Sequence, residues 1–466
     1  MCVWTLLVRC VRGCSVVGVL LLLYGCVTYT PQPLDPFEEF EKLERRTTEL
    51  HDLTVVSPGR QEWFPLQGNI DLSDGIDLAE AHALALVYAP EIRAARRTER
   101  VVGAQLLQAG LLSNPEVFVG PRLSMQDGTA ILPVGLSWEL PLWGKPRAEK
   151  DRAQGKLKAA EIRVLETELR VLTGIRSTFI QAARHSKSQE AYEAELRNSE
   201  RLVEWVSALE QVGEVDAVTA YLARLALDEA RDVLETTRLE LQTTTRSLLE
   251  TVGVLPSAEL SLVLGPEAFQ LPALPPLSRE RLLFHPEVRS AHAQYEAAEA
   301  ALRLEIAKQY PTIGAGPSFE DDDGDSSLGL GVGVELPFFD RNRGGVLEAE
   351  ERRDAARERV QTVLLRLSHA EAQARAEWNA TQSLLESYRA GALADVERVR
   401  VSLDRHYRTG QTHALEVLTT LSALAKARGR ELELESASAT ARLRAAVAGG
   451  AVWNDPADMG SNEDGR

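Results

Sequence analysis

Beyond Cys26 this chain has no cysteine: all four, Cys2, Cys10, Cys14 and Cys26, fall in the first 26 of its 466 residues. Nothing later can form a disulfide framework or a thiolate metal site. Methionine is confined to Met1, Met125 and Met459, and the eight histidines are dispersed, so a dedicated metal relay has no material. The acidic run Glu320 to Asp325 does not supply one either. Counted back from Gly324, the first calcium position would be Phe319, and Leu330 stands where a closing Glu is needed, so the run reads as an external hairpin loop. A nucleophile elbow and a phosphate loop are missing as well, because Gly144-Lys145 lacks both the upstream glycine spacing and a following Ser or Thr. These absences argue against an enzyme and leave no cofactor to expect. Positive charge is also short: the formal net charge is −17, which argues against a nucleic-acid partner.

Proline is missing from two long runs, between Pro146 and Pro256 and between Pro337 and Pro456. Uninterrupted runs of that length read as very long helices. In the second, Val360, Val363, Leu367, Ala370, Ala374, Trp378, Thr381, Leu385, Tyr388, Ala392, Val396, Val399 and Leu403 form one stripe with the helical period of about 3.6 residues. A helix of roughly 65 to 70 residues would be on the order of 100 Å long. No globular core requires that length.

What is present is present twice. Pro90 and Pro286, Pro115 and Pro311, Pro121 and Pro317, and Pro141 and Pro337 each stand 196 residues apart, and Gly213 and Gly410 stand 197 apart in breaks between helical patterns. The chain is two copies of one unit. Each copy carries alternating strands. Leu132, Val134, Leu136, Trp138 and Leu140 point one way with Pro133, Gly135, Ser137 and Glu139 opposite; in the second copy Leu328, Leu330, Val332, Val334 and Leu336 oppose Gly329, Gly331, Gly333 and Glu335. Weaker alternation precedes each, through Val117 to Leu123 and Ile313 to Phe319, so each copy holds one hairpin.

At the N-terminus, Arg9 and Arg12 precede an apolar run from Val16 to Leu23, too short to span a bilayer and suited to a signal-peptide core. Leu23-Tyr24-Gly25-Cys26 resembles a bacterial lipoprotein box, with Tyr24 in place of the usual small residue and Cys26 as the candidate lipidation site; the alternative is a plain signal peptide. The boundaries expected are 1–25 signal peptide, 26–76 irregular N-terminal arm, 77–255 first repeat, 256–277 linker, 278–448 second repeat and 449–466 disordered tail.

Strands of about ten residues with one apolar face fit a transmembrane β-barrel whose small polar face lines a lumen. Four strands cannot close, and an open sheet in hydrocarbon leaves unpaired backbone groups costing several kcal/mol each. The chain must oligomerise, and a trimer of twelve strands leaves room for a pore where a dimer of eight does not. Pro141 and Pro337 end the strand ladders. Trp138, Trp143, Phe338 and Phe339 bracket the apolar band, where aromatic rings favour the interface with outer-membrane lipid. The simpler alternative, turn prolines beside core aromatics, has to occur twice in register.

From residue 77 onward the chain resembles an outer-membrane efflux protein of the TolC family, nearer its lipoprotein branch. The resemblance rests on Pro90 to Arg93 and Pro286 to Arg289, on QAGLLSNPE from Gln108 to Glu116, on PLWGKPR from Pro141 to Arg147, and on YRTGQTHALEVL from Tyr407 to Leu418. It implies a mainly α fold with a small β part, a trimeric twelve-stranded outer-membrane barrel and a periplasmic helical tunnel. It also implies a homotrimer working with a periplasmic adaptor protein and an inner-membrane pump as a passive export duct. By position, the aperture and adaptor contacts fall on Gln211 to Val215 and Tyr407 to Gln411, with Glu210, Gly213, Glu214 and Asp216 on an acidic tip and Arg405, Arg408 and Gly410 on a basic one. Those charges either bridge around a ring or are solvated helix ends. Other readings are the duct of a type I protein secretion system or a structural coiled-coil lipoprotein, and the alternating strands favour a duct.

Overall fold

The computed structural model describes residues 29–46, 64, 74–120, 122–123, 130–131, 133–256, 260–322, 325–408 and 414–452. The chain divides into two compact units, residues 1–48 and 49–466. In the first, the arm expected to be irregular contains a helix, α1 (Pro36–Arg45). Its local chemistry accounts for it. Asp35 caps the N-terminus by accepting from the Phe37 amide at 2.8 Å, Pro36 suits the first turn, and Lys42 pairs with Glu39 one turn back at 2.6 Å.

The second unit begins with α2 (Leu78–Tyr88) and α3 (Pro90–Gln108), then β1 (Glu116–Val119), β2 (Arg122–Leu123), β3 (Ala130–Ile131) and β4 (Val134–Glu139), and the helices α4 (Lys145–Gln211) and α5 (Ala217–Val252). The second copy runs α6 (Arg279–Phe284), α7 (Pro286–Ala307), β5 (Ile313–Asp322), β6 (Asp325–Val334), α8 (Arg343–Tyr388), α9 (Ala394–Arg408) and α10 (Ala414–Ala448). Helix α4 has 67 residues, which at 1.5 Å each is about 100 Å. Its counterpart is not uniform. Between α8 and α9, Arg389–Leu393 form one π-helical turn, with Arg389 bonded to Glu431 at 2.6 Å and Glu435 at 3.3 Å on α10. The apolar stripe of this helix is buried at Val363, Leu367, Ala374 and Leu385, while Val399 is exposed.

The main core gathers where α2, the middle of α4 and the ends of α5 and α10 meet, around Leu84, Ile175, Phe179, Leu248 and Leu443. Each such side chain, fully withdrawn from water, contributes about 1.5–3 kcal/mol. The stretch expected to be a linker belongs to this core. Leu271 is buried in it, Leu260, Leu262, Leu264 and Phe269 pack against it, and Ile76 bridges in parallel to Leu262. Ala451 and Val452, expected in the tail, are buried there too. Apolar residues between prolines can line a core without forming a helix or strand, and periodicity does not register them.

The duplication extends to the helix ends. Gly253 after α5 and Gly450 after α10 both take positive φ, +87° and +72°. In each, the next residue's amide reaches back five positions, Val254 to Leu249 at 2.9 Å and Ala451 to Ala446 at 2.8 Å. A left-handed residue at the helix terminus makes that return possible, and glycine adopts it without steric cost.

Candidate channel: barrel sheet, junctions and helical tips

The two expected hairpins join in one antiparallel sheet of order β1-β4-β5-β6, and β2 pairs with β3 beyond it. In register, Val119 lies opposite Val134, Val134 opposite Phe319, and Phe319 opposite Leu328, so the apolar residues share one face across all four strands. That face is bare: Leu328 is 80% exposed, Leu330 76% and Val332 63%. The opposite face is made of small residues, with Gly314 against Gly333 and Gly316 against Gly331. Larger residues interrupt it: Glu116, Glu139 and Glu320 share this face, and Phe118 lies over Gly135, where any Cβ would collide with its ring. No described helix is long and apolar enough to cross a membrane.

At the two strand-to-helix junctions each proline sits at the centre of a tight turn, with Leu142 N–H donating to Leu140 O and Phe338 N–H to Leu336 O, both at 2.8 Å. Proline's fixed φ suits that turn and its missing donor ends the ladder. The copies then diverge. In the first, Trp143 and Gly144 take left-handed φ of 60° and 71° before α4; in the second, Asn342 does so at 51° before α8. Left-handed backbone strains a Trp, and two contacts offset it: Nε1–H donates to Pro311 O at 2.9 Å, and the indole stacks on Tyr310 at 5.2 Å and 15°. Lys145 Nζ reaches Thr312 Oγ1 at 3.1 Å, and Asn342 Nδ2 donates to Glu305 O at 2.9 Å and Oε2 at 2.8 Å.

The junction of the first copy is therefore braced on the segment leading into β5, and the second on the end of α7. Pro141, Trp143, Pro337 and Phe339 lie between strand and helix, with Trp143 half exposed and Phe339 fully so. Tyr310, Thr312, Asn342 and Glu305 are further junction residues that sequence reasoning missed. The only signal for the first two is their position beside Pro311, the partner of Pro115 in the repeat.

At the far end of the long helices, α4 stops in a glycine turn. Gly213, φ +77°, donates to Glu210 O at 3.1 Å and Glu214 N–H to Leu209 O at 3.0 Å. Asp216 caps α5, accepting from Thr219 N–H at 2.9 Å, and the Thr219 contacts hold its carboxyl below the usual range. Glu210 lies 3.7 Å from Arg224 of the same hairpin. Glu214 has no ion pair among the described residues, so two of the three tip acids already have local roles. Leu202, Val206, Ala220 and Ala223 form a small core behind the turn, with Val417 of α10 against it. The backbone of α9 reaches Arg408, but the side chains of Arg405 and Arg408 lie outside the described residues, as do Gly410 and Cys26. Behind the tips, burial pushes the Glu195 carboxyl up to about 7, with Lys426 opposing and Glu229 adding to the rise.

An exposed apolar sheet face thus continues through braced proline turns into long helices, of which α4 reaches about 100 Å. Comparison with known proteins agrees with that geometry. The pyoverdine export outer membrane protein OpmQ of Pseudomonas putida is 24% identical over 408 residues, 79% of this chain and 83% of that one. Among solved structures, the outer membrane protein VceC of Vibrio cholerae matches with a TM-score of 0.66 at 20% identity, over 79% of this chain and 95% of VceC. The CmeC outer membrane channel of Campylobacter jejuni matches with a TM-score of 0.71 at 15% identity, over 94% and 97%. The family described as outer membrane efflux protein matches residues 83–254 and 277–450, one match for each repeat, and this chain belongs to that family.

Proposed function

We propose that this outer-membrane channel component of an efflux system works as a homotrimer in which three β1-β4-β5-β6 sheets close one twelve-stranded barrel. The observation that carries it is the sheet itself: an exposed apolar face on strands whose outermost members, β1 and β6, end the order. In lipid those edges would leave backbone groups unpaired, each costing several kcal/mol, and joining β6 of one subunit to β1 of the next removes them all. Exposed apolar residues on the outer helices, Val101 on α3 and Leu365 on α8, support lateral contact of the same kind in the helical part.

The duct is passive, and its periplasmic tips, Gln211 to Val215 and residues 407–411, meet an adaptor that links it to an inner-membrane pump. The cargo is a small solute, a reading supported by the similarity to OpmQ, a pyoverdine export protein. Cross-linking of the protein in native outer membrane is expected to give a trimer, and the purified oligomer is expected to conduct ions in a planar bilayer. Monomers alone in the membrane, or an oligomer that does not conduct, would refute the reading.

A further inference from the structure

Apart from the barrel, the junctions and the tips, a cavity of about 360 Å³ lies between α4, α7 and α8. Arginines rim it from two sides: Arg163 and Arg170 from α4, Arg359 and Arg366 from α8. The spacing within each pair is seven residues, about two helical turns, which places both members on one face. Two of the four are engaged. Arg170 lies 2.8 Å from Glu91, and Arg366 pairs with Glu287. Arg163 and Arg359 form no ion pair among the described residues.

The floor is the first turns of α7, with Pro286 and Ser290 buried. Two carboxyls line it with the arginines: Glu287, paired with Arg366, and Glu166. Burial raises the pKa of Glu166, and a Ser290 hydrogen bond and Arg163, Arg359 and Arg366 oppose the rise. On the same wall Thr173 Oγ1 is buried with no hydrogen-bond partner among the described residues, whereas Thr167 and Thr178 of the same helix bond the carbonyl four residues back at 2.9 and 3.0 Å. Guanidinium groups on an open helix face are simply solvated. Here they converge on a concavity, from helices of different repeats, and outnumber the carboxyls that line it.

We propose that this cavity binds a small multivalent oxyanion, of the phosphate or polycarboxylate class, gripped by the guanidinium forks of Arg163 and Arg359 above the first turns of α7. Guanidinium presents paired N–H donors that match such oxygens two at a time. The volume equals roughly twelve waters at about 30 Å³ each, enough for pyrophosphate or citrate. The anion is a soluble one: from Lys145 at the junction to Arg163 the helix rises about 27 Å, away from the lipid. Bound there, it ties α4 of the first repeat to α8 of the second.

The test uses the full-length protein in detergent, titrated calorimetrically with pyrophosphate and with citrate, and with chloride at equal ionic strength as the control. At least one of the two anions should bind saturably, one per subunit. The double substitution Arg163→Gln, Arg359→Gln should weaken binding at least about tenfold, since each lost charged hydrogen bond is worth about that factor. Glu166→Gln should tighten it by removing the competing carboxylate. Heats no different from chloride, or binding unchanged in the double variant, would overturn the proposal. If the double variant does not assemble, Glu166→Gln decides, and unchanged or weaker binding in it counts against the site.

Discussion

Lowering the pH from 7 to 5 should loosen the start of α7 about twentyfold through a single buried imidazole. His285 is 1% exposed and stands at the N-cap of α7. Its Nδ1 accepts from the Glu287 amide at 3.2 Å, which leaves the proton on Nε2 to donate to Val447 O at 3.2 Å. Burial pushes its pKa down to about 4; the Val447 carbonyl opposes the shift and Arg366 adds to it.

An exposed histidine titrates near 6.5, so between about 6.5 and 4 the open state binds the proton and the closed state does not. The neutral ring's contribution is present above about 6.5 and is lost as pH falls toward 4. At pH 5 the open form is favoured about thirtyfold relative to high pH, against about 1.3-fold at pH 7, a difference of about 2 kcal/mol. Hydrogen exchange across Arg279–Ala307, corrected for the intrinsic pH dependence of exchange, measures this opening directly. His285→Asn retains a capping side chain without a titrating group, and its exchange should be flat over the same range. A wild type that does not respond, or a variant that responds equally, would refute the assignment.

Two further outcomes are expected. A Cβ at Gly316 would overlap the Leu136 carbonyl across the β4–β5 ladder, so Gly316→Val should cost at least about 3 kcal/mol and abolish the heat-modifiable oligomer on gels; a normal oligomer band would show that the strands can part there without loss. On the reading that the acidic and basic tips bridge around the ring, Arg405→Glu combined with Arg408→Glu sets like charges against each other and should raise single-channel conductance, most at low salt. Conductance equal to wild type at every salt concentration would leave the aperture to apolar packing such as the cluster around Leu202 and Val206.

The repeat, the strand faces and the long helices were legible because each depends on local periodicity. A spacing of 196 residues between prolines, an alternation of two and a stripe of 3.6 are properties of the chain before it folds. Helix α1 was equally local, marked by Asp35, Pro36 and charges one turn apart, and it escaped notice because the surrounding arm lacks a pattern. The core membership of Leu260 to Leu271 and of Ala451 and Val452 was not legible, since no periodicity marks an apolar residue that packs from an irregular segment.

Only the tertiary structure decided the pairings. That β4 lies beside β5, joining the hairpins into one sheet, follows from register between strands more than 170 residues apart, which no local signal specifies. The strained Trp143 is tolerable only because Pro311 and Tyr310 come to meet it from the other repeat. The arginines of α4 and α8 become a site only because the two helices converge over α7. Sequence period sets which face a residue occupies; what that face meets is set by packing between distant segments.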